Sequence, residues 1–436
     1  MSEISDAVVG GCDLWYDPVQ KKSGGSAMKQ QRTYPRIIIS PKAERSVKNG
    51  HPWIYGEEIR RMEGSPADGG LTDVFAGNAY MGTGFYNSRS RIAVRLISRN
   101  ANDAFDAAFW RRRIEYAVQY RRTVMPGEDF SCCRMVHGEA DGMPGLTVDR
   151  YGSVLSVQTA CLGMELIRDT VFRELVSVLE EHGQTVTGLF ERNDLALREK
   201  EGLGQGKGWY PLEGRPVPDS PVTEIVENGV RYLVDVENGQ KTGFFLDQKY
   251  NRLAAGRIAA GKRVLDCFTH TGSFGLNAAK AGAERVTCVD ISSQAVEMAR
   301  ANAERNGLAG WMDFLCEDVF DLLTRLTEER CRDYDYVILD PPAFTKARDT
   351  VDAAARGYKE INLRAMKLLP RGGYLATCSC SHFMTDDRFR AMLASAARDA
   401  AVSLRQIEAR QQAPDHPILW NVPETEYLKF YLFQVV

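Results

Sequence analysis

The spacing of apolar residues changes character along this chain, and each change predicts a different kind of structure. From Pro35 to Ser98, short β-rich runs (Ile37 to Ile39, Tyr80 to Tyr86, Ile92 to Ile97) alternate with turns marked by Gly and Asn. That pattern predicts a small β-rich module over residues 35–100. Trp110 to Arg122 reads as a helix, followed by strands near Arg134 to His137, Leu146 to Asp149 and Val154 to Thr159. A helix near Glu165 to His182 and a strand near Thr187 to Glu191 complete a central α+β domain over residues 101–201. Between Gly202 and Pro221 five glycines and four prolines interrupt every period, the composition of a linker over residues 202–221.

After a hairpin from Val222 to Val236 the pattern becomes regular. Strands Arg263 to Asp266, Arg285 to Asp290, Met312 to Leu315, Tyr334 to Leu339 and Tyr374 to Ser379 alternate with helices such as Ser273 to Ala281 and Ser293 to Asn306. Such alternation over residues 222–436 predicts an α/β, Rossmann-like domain with a parallel, doubly wound sheet whose ligands sit at the carboxyl ends of the strands. Residues 1–34 show no sustained period and precede or surround Met28, so they are expected to be a disordered tail or a misassigned start.

Composition narrows the class. With 44% apolar and 26% charged residues the chain reads as soluble and globular, and no window approaches the roughly 18 apolar residues of a membrane span. Its first residues include Glu3, Asp6 and Asp13 and lack a secretory signal, which places it in the cytoplasm. Ten scattered cysteines without CxxC spacing argue for reduced thiols and against a metal site. The net charge of −3 disfavours indiscriminate phosphate binding. Basic residues nevertheless gather between Met28 and Met62, where Lys29, Arg32, Arg36, Lys42, Arg45, Lys48, Arg60 and Arg61 face three acidic residues.

Four motifs carry chemistry. The turn VLDCFTHTGSFG, Val264 to Gly275, puts Asp266 at a strand end and Gly272 at a helix start, with Phe268, Thr269 and Ser273 around them as candidate cofactor contacts. The GxGxxG spacing that a pyrophosphate requires is absent, whereas S-adenosylmethionine has no phosphate to be cradled. Asp290 ends the next strand, where a carboxylate can accept from both ribose hydroxyls, and Asp318 with Val319 borders the expected adenine position. DPPAF, Asp340 to Phe344, forces the backbone out of the sheet because two prolines cannot continue a ladder. There Asp340 can bond a base edge, and Pro341 and Phe344 form a substrate surface on which a base can stack. Finally, TCSCS places Cys378 and Cys380 two apart on one strand, with Cys380 nearer the ligand edge; a nearby group such as His382 could stabilise a thiolate, which its position in the sequence alone does not show.

These stretches, together with GHPWIYGEEI at Gly50, VHGEADGMPGLTVDRYG at Val136, NGQKTGFFLDQKYNR at Asn238, SCS at Ser379 and DHP at Asp415, resemble the bacterial PUA-containing 23S ribosomal RNA 5-methylcytosine methyltransferases. The resemblance runs from about Pro35 to the C-terminus. It implies an N-terminal PUA RNA-binding domain, a central α+β domain and a class I S-adenosylmethionine-dependent methyltransferase domain. It also implies that Gln240, Lys241, Thr242 and Gly243 lie beside the cofactor and that Cys380 is the nucleophile. Cys378 stands where the family often has an apolar residue. Thiolate addition at cytosine C6 would then activate C5 for methyl transfer, with Asp340 holding the base edge and the target base flipped or unpaired. Ribosomal RNA is the expected partner, with no membrane and no metal, and a homodimer is left open. The competing readings are a guanine methyltransferase sharing the DPP-and-Phe loop, a non-catalytic RNA-binding assembly factor, and an NAD-dependent oxidoreductase.

Overall fold

The computed structural model describes residues 32–345 and 347–436; most of the expected tail, residues 1–31, and Lys29 of the basic run lie outside them. The first module contains β1 (Arg36–Ile39), α1 (Pro41–Lys48), β2 (Trp53–Ile54), β3 (Ile59–Glu63), β4 (Leu71–Ala76), β5 (Ala79–Tyr86) and β6 (Val94–Ser98). They form a six-stranded sheet in the order β2-β6-β5-β4-β1-β3. Helix α1 is absent from the strand-only reading of this region. It starts because Ser40 accepts a hydrogen bond from the Ala43 amide and Pro41 fixes the first helical turn.

The central region has α2 (Ala107–Val124), β7 (Cys132–His137), β8 (Leu146–Tyr151), β9 (Val154–Thr159), α3 (Leu162–Glu181), β10 (Gly188–Asn193), α4 (Ala196–Lys200) and β11 (Gly206–Tyr210). Its sheet order is β11-β10-β9-β8-β7. β11 corrects the linker expected over 202–221, since it pairs with β10 from Leu189↔Tyr210 to Asn193↔Gly206. Trp209 overcomes the glycine-rich composition: its ring meets Phe190 edge-on at 5.0 Å and occupies the space where Gly188 lacks a Cβ.

A two-stranded hairpin, β12 (Val222–Glu227) and β13 (Val230–Asp235), leads into α5 (Lys249–Arg257) and the largest sheet. That sheet is built from β14 (Arg263–Cys267), α6 (Ser273–Lys280), β15 (Arg285–Asp290), α7 (Ser293–Arg305), β16 (Met312–Cys316), α8 (Val319–Glu328), β17 (Tyr336–Leu339), α9 (Val351–Leu368), β18 (Tyr374–Ser379), α10 (Asp386–Asp399), β19 (Leu404–Arg410) and β20 (Lys429–Val435). The strand order is β16-β15-β14-β17-β18-β20-β19. Five strands are parallel as expected, but β20 runs antiparallel to β18 and β19 antiparallel to β20, so the sheet is mixed. The order reverses between β14 and β17, which makes the crevice at their carboxyl ends the switch point where such sheets bind ligands.

Alternation along the central strands divides their side chains between two buried layers. Val264, Ile338 and Ala376 pack with Ala254, Phe274 and Ala303 on the α5, α6 and α7 side. Leu265, Val337 and Leu375 pack with Leu322, Ile361 and Leu393 on the α8, α9 and α10 side. None of the described helices is long and apolar enough to cross a membrane, and the described residues contain no group of His, Cys, Asp and Glu able to hold a metal ion.

Candidate active site

The turn leaving β14 is held in a conformation that few residues adopt without compensation. Phe268 and His270 lie at φ +62° and +50°, the left-handed region, and Gly272 follows at φ +80°. A Cβ on Gly272 would meet the Ala299 Cβ at 2.9 Å, so the helix α7 can approach only a glycine there. The turn is tied down by Asp266, whose Oδ2 accepts from the Thr269 hydroxyl at 2.5 Å and from the Gly275 amide at 2.8 Å. Asp266 is buried, and its Oδ1 has no hydrogen-bond partner. Burial pushes its carboxyl up to about 7 despite those two donors, with Asp340 and Asp290 adding to the rise.

Asp290 closes the other side of the turn. Its Oδ2 accepts from the His270 amide at 2.9 Å and its Oδ1 from the Ser292 amide at 3.0 Å, leaving each oxygen with acceptor capacity. Asp318 caps α8, with Oδ1 accepting from Phe320 and Asp321, while Oδ2 is not used in the cap. Val319 is a core residue beside Leu322 and Leu339, and Ser273 is buried in the first turn of α6.

The NGQKTG segment divides in two. Gln240 and Lys241 are exposed, and the Lys241 ammonium reaches Asp247 Oδ2 at 3.1 Å and lies 4.6 Å from the centre of the Phe245 ring. Thr242, expected beside a cofactor, is fully buried and bonds Asp149 Oδ2 at 2.5 Å and the Tyr151 hydroxyl at 2.9 Å. It anchors the loop to β8 instead. Gly243, at φ +138°, packs so closely on Val234 that a Cβ would fall 2.7 Å from its Cγ1.

Across the crevice, Asp340 leaves β17 with its Oδ1 accepting from the Gln248 amide at 2.8 Å. Burial, then the nearby Asp247, pushes its carboxyl up to about 6, against the lowering influence of Arg252, Cys378 and Gln248. Asp247 goes the other way. Burial opposes its charge, yet Lys241, His416, Tyr427 and Arg134 hold it below the ordinary carboxylate range. Its Oδ2 accepts from Lys241 and from the Tyr427 hydroxyl at 2.8 Å, while the buried Oδ1 has no partner. Two neighbouring carboxyls are thereby driven apart, one readily protonated and one kept ionised, which is how paired acids acquire separate acid and base roles.

The two thiols also differ. Cys378 is fully buried within β18, opposite Phe430, and burial raises its thiol well above the ordinary range. Cys380 lies one residue past the strand and is half-buried. Burial and Asp340 push its thiol up to about 11, while Lys241 and Lys429 pull the other way. His382, the sequence candidate for stabilising the thiolate, is exposed with its ring against Phe383. Phe344 is less free than a stacking surface requires: its ring packs at 4.5 Å on Tyr358, 5.8 Å on Phe320 and 6.4 Å on Phe268. Pro341 is buried. Asp266, Phe268, Asp290, Asp340 and Cys380 thus come to one end of the sheet, joined by Lys241, Asp247, Gln248, Tyr427 and Lys429. Lys241 is a candidate from the sequence; Asp247 and Gln248 fall in the quoted NGQKTGFFLDQKYNR stretch without being singled out, and no motif points to Tyr427 or Lys429.

On the first module, much of the expected basic face is internally paired. Lys42 pairs with Glu58 at 3.2 Å, Lys48 with Glu44 at 2.6 Å and Arg61 with Glu63, while the Arg36 guanidinium lies over Phe75. Arg45 and Arg60 remain exposed cations.

Comparison with known proteins bears on the family of the chain. Residues 209–434 match a family described as S-adenosylmethionine-dependent methyltransferase, and residues 37–99 match a PUA-like domain. Ribosomal RNA large subunit methyltransferase I of Klebsiella pneumoniae is 36% identical over 405 residues, covering 92% of this chain and 99% of that protein. The protein of the same name from Aeromonas salmonicida is 40% identical over 395 residues, covering 90% and 97%. That from Shewanella denitrificans is 41% identical over 397 residues, covering 90% and 98%. A putative SAM-dependent methyltransferase from Streptococcus mutans superposes with a TM-score of 0.76 at 21% identity, covering 92% of this chain and 99% of that one. A putative methyltransferase complexed with SAH gives the same TM-score and identity.

Proposed function

We propose that this chain, which belongs to the S-adenosylmethionine-dependent methyltransferase family that includes ribosomal RNA large subunit methyltransferase I, methylates C5 of a cytosine in 23S ribosomal RNA. S-adenosylmethionine is the cofactor of the family, and the residues fit it. The partnerless, buried Asp266 Oδ1 is an acceptor suited to the ligand's ammonium, Asp290 has acceptor capacity for ribose hydroxyls, and Gly272 leaves room for close backbone approach. Gln240 and Lys241 line the approach, and Asp318 Oδ2 is available to the adenine amine.

The observation that carries the cytosine reading is the half-buried Cys380 at the open end of β18, beside Asp340 at the end of β17. Cytosine C5 is too weak a nucleophile by itself. The Cys380 thiolate adds to C6, and the Asp340 carboxyl, poised near pH 6, passes its proton to N3, so that the electrons of the C5–C6 double bond become available at C5. When bound, S-adenosylmethionine supplies the electrophilic methyl group that C5 takes up. Loss of the C5 proton to solvent, return of the N3 proton to the Asp340 carboxylate and cleavage of the sulfur–C6 bond restore the neutral aromatic base, the carboxyl and the thiolate. A guanine methyltransferase would leave Cys380 without a task.

We assign residues 35–100 to RNA binding, 101–201 to a central scaffold and 222–436 to catalysis, and a ribosomal RNA substrate places the enzyme in the cytoplasm. The test is bisulfite sequencing of ribosomal RNA from a deletion strain and its parent. One 23S cytosine that loses protection in the deletion is the expected result; unchanged cytosines with a lost methylguanosine would overturn the reading.

A further inference from the structure

We propose that Lys429 is a positioning residue whose buried ammonium serves as the built-in counter-ion of the Cys380 thiolate. The inference rests on Cys380 being the nucleophile. Lys429 opens β20 directly opposite Ser379, one residue before Cys380. Its ammonium donates to the Ser381 carbonyl at 2.7 Å and to the Tyr427 carbonyl at 2.8 Å. The charge is therefore fixed to the backbone on the far side of Cys380, and its third N–H is not spent on either bond.

Lys429 is only 5% exposed, yet no carboxylate among the described residues lies within 4.0 Å of it. Burying an unpaired cation is expensive, and proteins ordinarily avoid it. The contrast with Lys249 is direct: that lysine is also buried but has Asp129 at 3.1 Å. An acid at such a distance would cancel the field that Lys429 exerts on Cys380, and its absence is what a counter-ion for a transient thiolate requires. Lys241, the other cation near the thiol, is largely exposed and already faces Asp247.

The groups that act most on the pair besides the two lysines are acidic or neutral. Asp340 after β17 and Asp247 before α5 oppose a thiolate, Cys378 lies on β18, and Tyr358 lies on α9. Asp386 of α10 and Glu426 ahead of β20 act on Lys429 from a distance. A thiol pushed to about 11 in this setting is ionised in roughly one molecule in ten thousand at pH 7. Each further unit would remove another factor of ten. When the S–H bond breaks, its electron pair stays on sulfur and the proton leaves to solvent, while Lys429 keeps its three protons. Burial pulls that ammonium down to about 8, so the support is present below that pH and fades above it.

The test follows Cys380 alkylation by iodoacetamide in the full chain, read peptide by peptide by mass spectrometry between pH 6 and 10. Lys429→Gln keeps two N–H donors for the same carbonyls without the charge, and Lys429→Arg keeps the charge. In Lys429→Gln, alkylation at pH 7 is expected to slow about tenfold, with melting temperature and S-adenosylmethionine affinity near those of the wild type. The wild-type rate should rise tenfold per pH unit below about pH 8, rise less steeply between about pH 8 and 9 as the ammonium is lost, and steepen again above that. Both variants should rise without that inflection, and Lys429→Arg should retain most of the wild-type rate at pH 7. Equal rates in wild type and Lys429→Gln would overturn the proposal. If the glutamine variant fails to fold, a slow Lys429→Arg or a wild-type profile without the inflection overturns it. Because alkylation reads the thiol and not the methylated base, this result and the bisulfite result can fail independently.

Discussion

Cys378 and Cys380 share a strand direction but not an environment, and their chemistry separates on that basis. Cys378 is buried between β17 and β20 with its thiol in hydrogen-bond contact with Asp340 and Gln248, whereas Cys380 has passed the last ladder bond of β18 and feels Asp340 through its charge. Cys380→Ala is expected to abolish methyl transfer and leave cofactor affinity nearly intact, since the thiol acts on the base. Cys378→Ala should cost stability, on the order of 1 kcal/mol, and reduce methyl transfer without abolishing it, since that thiol touches Asp340 and not the base. With RNA carrying 5-fluorocytosine at the target, the wild type should form a covalent adduct, because fluorine cannot leave as a proton does. Protease digestion and mass analysis locate it, and an adduct on Cys378 would reverse the assignment. Asp266 gives a second prediction at this scale. Its carboxyl is raised by burial to about 7, above its unfolded value, so ionising it costs the folded protein above the unfolded pKa. A bound ammonium favours the ionised form. S-adenosylmethionine affinity measured by calorimetry should therefore fall as pH drops below about 7, and Asp266→Asn should bind weakly without that slope.

At the scale of elements, legibility followed how much of each element's stability is local. The strand-turn-helix from β14 to α6 and the Pro-Pro exit from β17 were readable because sequence alone forces the chain to turn there. β11 was not, since Gly206 and Gly208 look like punctuation until Trp209 is seen filling the gap over Gly188. β19 was missed for a related reason: as an edge strand it carries Arg405, Glu408 and Arg410 and pairs only with β20. Without those last two strands, the reading could place Cys380 but not the lysine facing it. Thr242 shows the limit of a motif. NGQKTG points to a segment, but which of its side chains is free and which is buried depends on Asp149 and Tyr151, nearly a hundred residues earlier. His382 similarly looked close to Cys380 in sequence and turned outward past the end of β18.

Over the whole molecule, Tyr34–Val436 forms one compact unit, and polar contacts tie its regions together. Trp53 donates to Glu139 at 2.9 Å, Arg95 bridges Glu139 and Glu201 at 3.0 Å each, and Asn421 donates to the Gly50 carbonyl at 2.8 Å. The DHP segment lies at the centre of this arrangement. Asp415, fully buried, accepts from the Arg134 amide at 2.8 Å and pairs with His416 at 2.9 Å, while its carbonyl accepts from the buried Arg121. Arg121 in turn holds both oxygens of Asp141, so α2, β7 and the loop before β20 share one polar core. Burial works against the Asp415 charge, and His416 together with the Arg134 amide carries its carboxyl below the ordinary range. A depressed carboxyl adds stability above the unfolded pKa and loses it only as pH falls through the folded value. Asp415→Ala would leave the Arg134 amide and His416 buried without their acceptor, at a cost of about 3 kcal/mol. Because that acceptor joins the central region to the methyltransferase sheet, urea unfolding followed by tryptophan fluorescence and by circular dichroism should move to lower midpoint together. A variant in which the two signals separate would show that the regions fold independently, and one with an unchanged midpoint would show that Asp415 does not hold them together.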